Sequence, residues 1–402
     1  MNITVRVGDL GKVITGNTPP RSNPELYGNY IPFIKATDIS ENEKYTYTPE
    51  EYYSEEGFRK YKTSLIPKHS TCVVTIGSIG KKMTMACQDC FINQAMNAII
   101  PNNDYDYEYV YYLLKNNIHK LKNLDSGTAS GRENVSKSAF MGMELSVIKD
   151  KVTQKRIGSI LSAYDDLIEN NQKHIKLLEE AAQRLYKEWF VDLRFPGHES
   201  VKIVDGVPEG WKKEKISDMG RVVTGKTPNT ENKQYYGGRI PFVKTPDMHN
   251  CVYPVTTEST LTKEGADRQK NNYIPENSIM VSCIGTNVGL VNISNELCQT
   301  NQQINSVILD NIKDVYYMFF SMKKLRELLN GVGSNGTTMT NVNKTKFSNI
   351  EILYPDDKLR EKYFALVDPM FKKVKWLSCS NRLLREARDR LLPKLMSGEI
   401  EV

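Results

Sequence analysis

From Lys151 to Phe190, apolar residues return every three or four positions: Ile157, Leu161, Tyr164 and Ile168, then Ile175, Leu178, Ala182, Leu185 and Trp189. Alternating steps of four and three mark a helix that buries a narrow seam against a second helix. The stretch has no proline and one glycine, Gly158. It predicts a long helix, bounded here as 151–195. Asn171 falls on the seam, where a polar side chain fixes register at some cost in stability. A second seam closes the chain over 357–402, through Tyr363, Val367, Met370, Val374, Leu377, Leu384, Leu391 and Leu395, with Asn381 in the polar position. Pro369 lies inside it and predicts a helix start or a kink there, because proline lacks the N–H of the helical ladder. Both segments exceed a usual globular helix in length, and the two are expected to pack on each other.

The remaining sequence has another rhythm. Val73–Ile76, Ala98–Ile100 and Leu145–Ile148 are short β-branched runs bounded by turn residues, the pattern of strands. Tyr109–Leu124 reads as an amphipathic helix. Ile279–Ser282 and Ser306–Leu309 repeat the strand pattern, and Val315–Leu329 repeats the helix. The repetition extends to residues. Ile14-Thr15-Gly16-Asn17-Thr18-Pro19 returns as Val223-Thr224-Gly225-Lys226-Thr227-Pro228, and Ile31-Pro32-Phe33 as Ile240-Pro241-Phe242, both at an offset of 209. Glu56-Gly57 with Glu264-Gly265, Asn93-Gln94 with Asn301-Gln302, and Asn134-Val135 with Asn341-Val342 follow in order. An ordered series at near-constant offset means duplication. The predicted architecture is α+β: a globule over 1–150, a helix, a turn-rich linker over 196–210, a similar globule over 211–356, and the closing helix. Two equivalent units in one chain can form an internal pseudo-two-fold.

Composition narrows the function classes. The chain has 402 residues and a net charge of +6, a balance that permits nucleic-acid binding without demanding it. No apolar run is long enough for a membrane span. The first residues lack the apolar core of a signal peptide, so the cytoplasm is the expected compartment. Seven scattered cysteines argue against a disulfide framework. Cys87 and Cys90 have the spacing of half a zinc site but no second pair at a suitable distance, so no metal is expected.

Two motif fits are declined on context. Gly220 to Thr227 matches the P-loop pattern, which requires a helix starting at its lysine. Here Pro228-Asn229-Thr230 follows, and the copy has Asn17 in place of Lys226. Gly331 to Gly336 matches a dinucleotide fingerprint but follows a helix-like run rather than a strand. No catalytic residue is assigned, and the chain is expected not to be an enzyme.

Four segments carry a family resemblance. Thr15 to Pro20 and Thr224 to Pro228 resemble the opening of target recognition domains. Arg184-Leu185-Tyr186-Lys187-Glu188-Trp189-Phe190-Val191-Asp192-Leu193-Arg194-Phe195 resembles a central conserved region, and Arg390-Leu391-Leu392-Pro393-Lys394-Leu395-Met396-Ser397-Gly398-Glu399-Ile400 a distal one. These belong to the specificity subunits of Type I restriction–modification systems, and the resemblance spans the chain. It implies two target recognition domains joined by two conserved helices forming an antiparallel coiled coil, and binding of double-stranded DNA. It also implies two modification (methyltransferase) subunits, which bind S-adenosylmethionine. Restriction subunits, which bind ATP and magnesium for translocation and cleavage, can join. No cofactor is then expected in this chain. A stand-alone two-module DNA-binding or regulatory protein is the competing reading; a P-loop nucleotide-dependent enzyme is the third.

Comparing the two halves also suggests the contacts. Basic residues recurring in both suit phosphate contacts: Lys35 with Lys244, Lys60 with Arg268, Lys62 with Lys270. Two polar loops suit groove approach, one with Ser126, Thr128, Ser130 and Arg132, the other with Ser334, Asn335, Thr337 and Thr338. Arg132 is the candidate for a guanine edge. Asp38–Tyr53 and Asp247–Thr262 scarcely match, so they are expected to form the reading surface of two unlike half-sites. Trp189, Phe190, Leu395 and Met396 are expected to be exposed at the helix ends for partner subunits.

Overall fold

The computed structural model describes residues 2–127, 131, 133–285, 287–324 and 342–402. They form two compact units, one of residues 1–170 with 383–402, the other of 171–382. The division falls inside both long helices, so each unit owns part of each.

In the first unit a four-stranded antiparallel sheet runs in the order Gly11–Thr15, Met96–Pro101, Thr71–Val74, Met83–Met85. A three-stranded sheet places Tyr27–Ile34 between Glu51–Tyr53 and Phe91–Ile92, the last pairing parallel. Asn2–Arg6 pairs with Glu144–Ile148. The second unit repeats each sheet. Gly220–Thr224, Ile304–Leu309, Ile279–Ser282 and Val291–Ile293 make the four-stranded one, and Ser259–Leu261, Tyr236–Val243 and Gln299–Thr300 the three-stranded one. Even the irregularity recurs: the central strand slips register between Tyr27 and Ile31 and between Tyr236 and Ile240.

The predicted helices are present with adjusted ends. Tyr107–Asn117 is α-helical and continues as a tighter 3-10 segment over Ile118–Leu124. Its equivalent, Val315–Lys324, reaches the limit of the described residues. The first long helix runs Lys151–Tyr186 and ends in a wider π-helical turn, Lys187–Val191. The second runs unbroken from Asp357 to Ser397. Pro369 therefore neither starts nor interrupts it. Proline removes one ladder hydrogen bond, and here burial of Val367, Phe371 and Val374 around it carries the helix through.

Within each unit the two long helices run antiparallel. In the second, Asn171 Nδ2 donates to Asn381 Oδ1 at 2.8 Å, and Tyr363 OH donates to the Ala182 carbonyl at 3.2 Å. In the first, Arg388 pairs with Asp165, and Ile157 and Leu161 share a cluster with Leu392, Leu395 and Met396. Gly158 is explained here. A Cβ at that position would lie 2.7 Å from Glu108 Cβ, so the missing side chain lets the start of Tyr107–Asn117 press against the long helix.

The repeated Thr-Gly is a packing device. A Cβ on Gly225 would meet the Asn301 carbonyl oxygen at 2.1 Å, and one on Gly16 the Asn93 carbonyl oxygen at 2.2 Å. Backbone cannot retreat as a flexible side chain can. Gly225→Ala is expected to destabilise the second unit by about 1–3 kcal/mol. All three tryptophans, Trp189, Trp211 and Trp376, belong to that unit, so denaturant unfolding followed by their fluorescence reads the change. An unmoved midpoint would show that the strand end can part from Thr300 and Asn301.

Candidate nucleic-acid interface

The segment after each first sheet strand is held by side chains common to both halves. Thr15 Oγ1 donates to Asn97 Oδ1 and Thr224 Oγ1 to Asn305 Oδ1, each at 2.7 Å. Thr18 bonds Gln94, and Thr227 bonds Gln302 at 2.7 Å. Tyr27 and Tyr236 donate to the carbonyls of Pro19 and Pro228 at 2.6 and 2.8 Å. This geometry removes the P-loop reading. Gly220–Thr224 is a paired strand, the Lys226 N–H is spent on the Thr300 carbonyl, and the next helical turn begins only at Lys233. A phosphate cradle needs free amides and a helix opening at the lysine.

Beside this strand in the second unit lies a groove of about 260 Å³, lined by Arg221, Val222, Val223, Thr224, Asn271, Asn272 and Lys344. Three elements converge on it. Arg221 projects from the strand, Asn271 and Asn272 sit on the 3-10 turn Lys270–Asn272, and Lys344 opens the short helix Lys344–Ser348, capped by Asn343. The apolar members of the strand, Val222 and Val223, are buried, which leaves Arg221 on the exposed side. Arg221 and Lys344 are both exposed and have no carboxylate partner among the described residues. The exposed position next to the start of the strand thus carries a cation, although Val223 two residues on is buried. The repeat places Lys12, Thr63, Ser64 and Lys137 at the matching positions of the first unit, with Lys12 and Lys137 likewise exposed. Lys137 opens a helix capped by Ser136, as Lys344 follows Asn343.

Of the basic residues inferred from the sequence, Lys60, Lys62 and Lys270 are exposed, on or just after the short helices Glu55–Tyr61 and Lys263–Asp267. Arg268 is exposed but pairs with Glu264 at 3.3 Å. Lys35 and Lys244 are engaged. Lys35 Nζ lies 2.6 Å from Glu50 and 2.9 Å from Glu51, and Lys244 Nζ lies 3.3 Å from Glu258. The two carboxylates raise the pKa of the Lys35 amine and satisfy it locally. The acids stand 15 and 16 residues after Lys35 but 14 after Lys244, so no constant spacing marked them in the sequence. Ser126 is exposed and donates to the Asn134 carbonyl at 3.0 Å. Asp125 closes the same loop neck by accepting from the N–H groups of Asn134 and Gly127, which hold its carboxyl below the usual range. Thr128, Ser130, Arg132, Ser334, Asn335, Thr337 and Thr338 lie outside the described residues, as does the Gly331–Gly336 motif. In sequence, Lys137 and Lys344 each follow shortly after these polar stretches.

Asp38–Tyr53 and Asp247–Thr262 require a correction. In the first unit Lys44 is buried, pairs with Glu108 and donates to Ser162 Oγ on the long helix at 3.0 Å, while Tyr47 OH donates to Glu169 at 2.6 Å. In the second unit Val252 and Tyr253 are buried, and Tyr253 meets Phe371 edge-on. Much of the divergence between these segments therefore encodes how each globule seals onto its own helices. One seal is polar and the other aromatic, so part of the sequence difference is structural, while Glu41, Asn42, His249 and Asn250 remain exposed.

Comparison with known proteins decides the family. The model of the Type I restriction modification DNA specificity domain matches residues 2–180 and again 208–373. The chain belongs to this family. As a Type I specificity subunit it is 35% identical over 314 residues to the HindI specificity subunit of Haemophilus influenzae, covering 63% of this chain and 68% of the relative. It is 26% identical over 418 positions to the MjaIX specificity subunit of Methanocaldococcus jannaschii, covering 99% and 93%. The fold matches the crystal structure of the S subunit from M. genitalium with a TM-score of 0.62 at 15% identity, over 98% of this chain and 96% of that one.

The residues expected to meet partner subunits are also corrected. Trp189, Phe190, Leu395 and Met396 are buried rather than exposed. Phe190 packs against Tyr317, Tyr363 and Trp211, and Trp189 against Tyr363. Leu395 and Met396 close the core of the first unit. The helix ends are apolar because they are the floor of each globule. Exposed apolar surface on the helices lies elsewhere, at Leu177, Leu366 and Trp376 in the second unit and Leu167 and Leu383 in the first.

Proposed function

We propose that this specificity subunit directs a methyltransferase complex to an asymmetric, bipartite DNA target, each unit reading one half-site and the helix pair setting the unread spacer. The observation that carries this is the paired surface chemistry. Two copies of one scaffold keep an exposed cation at Lys12 and Arg221 and another at Lys137 and Lys344, while the neutral polar residues Asn271 and Asn272 of the groove stand where the first unit has Thr63 and Ser64. Recurring cations suit the phosphate backbone, which every sequence shares, and differing neutral side chains suit bases, which distinguish half-sites. Chemistry is supplied in trans by two modification subunits carrying S-adenosylmethionine, and restriction subunits with ATP and magnesium join the same assembly in the cytoplasm. The exposed Leu366 and Trp376 are the apolar surface offered to such a partner.

Expressing the chain with its methyltransferase subunit and sequencing the methylated DNA tests this directly. The expected result is one two-part motif with a fixed unread spacer and unlike halves. Methylation without a shared motif, or methyl transfer by the purified chain alone, would sink the proposal.

A further inference from the structure

The groove of the second unit contains one side chain whose placement fits base reading. Asn272 and its counterpart Ser64 are occupied by the scaffold. Asn272 Nδ2 donates to the Thr224 carbonyl at 2.6 Å, and Ser64 Oγ accepts from Asn17 Nδ2 at 2.8 Å. The difference between these two residues is thereby accounted for by local support of the Thr-Gly segment. In the first unit the loop residue donates, and in the second the 3-10 turn donates instead. Asn271 is different. It is exposed, lines the groove, and its side-chain amide has no hydrogen bond among the described residues. Only its main-chain carbonyl is engaged, accepting from Arg221 Nη1 at 3.4 Å. That contact ties the guanidinium to the turn that presents the amide.

We propose that Asn271 reads an adenine edge in the half-site of the second unit, with Arg221 and Lys344 holding phosphates on either side. A carboxamide carries one donor and one acceptor side by side, matching the N6 and N7 positions of adenine in the major groove. Arginine and lysine on the groove walls supply charge that carries no sequence information. The equivalent of Asn271 is Thr63, also exposed, between Lys12 and Lys137. A hydroxyl offers a single donor and reads bases less selectively. The two half-sites therefore differ at this position for a stated chemical reason. The inference rests on the proposed function and adds a residue and a base to it.

The test uses the full chain in complex with its methyltransferase subunit. Asn271→Ala is expected to relax one position of one half-site, lowering the preference for the cognate base about ten-fold while the other half-site stays unchanged. Asn271→Thr should leave part of the preference. Arg221→Ala should weaken binding to all sequences alike and reduce the slope of log K against log salt by about one. Asn271 is exposed, so a thermal melt matching the parent confirms that the variant is folded. An unchanged motif with Asn271→Ala overturns the assignment, as does a loss shared equally by every sequence. If the parent complex itself yields no bipartite motif, the underlying function fails and takes this assignment with it; the parent's motif thus separates the two failures.

Discussion

Replacing Arg388 by methionine is expected to destabilise the first unit by about 3–5 kcal/mol. Arg388 reaches Asp165 across the helix pair, and both side chains are almost fully buried, 3% and 4% exposed. Tyr112 OH donates to the other Asp165 oxygen at 2.5 Å. Methionine keeps much of the volume and removes the charge, leaving a buried carboxylate with one neutral donor. The loss is set by that stranded group and not by the net worth of the intact pair, which desolvation makes small. Asp165→Asn combined with Arg388→Met should therefore recover part of the loss. Urea unfolding followed by far-ultraviolet circular dichroism measures both, and a single-variant cost under about 1 kcal/mol would mean that water reaches the pair.

The same variant should be pH-dependent in a defined direction. Burial holds the Lys115 amine down at about 8, with Asp165 pulling upward and Arg388 pushing further down. Without Arg388 the amine binds its proton more tightly in the folded state, and below pH 8 it partly neutralises Asp165. Stability gained by a raised folded pKa is present below that range and lost above it. The destabilisation should therefore grow as pH rises through about 8 and beyond. A deficit that shrinks over this range would exclude Lys115 from the network.

The helices and the repeat were legible because they rest on periodicity, which many residues report together. Asn171 and Asn381 are the clearest case: each falls on an apolar seam that periodicity marks, and the packed helices join them at 2.8 Å, a pairing the sequence did not specify. The charged network around Asp165 was not legible. No periodicity or repeat marks Lys44, Glu108 and Arg388, and only the fold brings Lys44 to Glu108 and Ser162 and Arg388 to Asp165. Trp189 and Phe190 were misread for the opposite reason, since apolar residues at a helix end look exposed until the globule beneath is known. The groove cations also carry a sequence signal, because they recur in both halves. Lys12 with Arg221 recurs at the offset of 209 that relates Lys35 to Lys244, and Lys137 with Lys344 at the 207 that relates Asn134 to Asn341. What sequence could not supply was the neighbouring acid that takes Lys35 out of play and its absence beside Arg221.

Lengthening the helix pair should change the DNA target without changing either half-site. The chain passes between units after Asn170 and again after Arg382, next to the Asn171–Asn381 contact. Four residues added at both points lengthen each helix by about 6 Å at 1.5 Å per residue. That distance is close to two base pairs at roughly 3.4 Å each. Matched insertions keep the helices equal in length, and a four-residue insertion locally unwinds a coiled coil without destroying its seam. Inserting in one helix alone would set Asn171 and Asn381 out of register and place two buried amides against apolar neighbours, at a cost of about 1–3 kcal/mol each. The doubly extended subunit, expressed with its methyltransferase, should modify a motif with both halves retained and the spacer about two base pairs longer. Retention of the original spacer in a folded, active complex would show that something other than the helix pair sets the distance, and the ruler would have to be sought in the partner subunits.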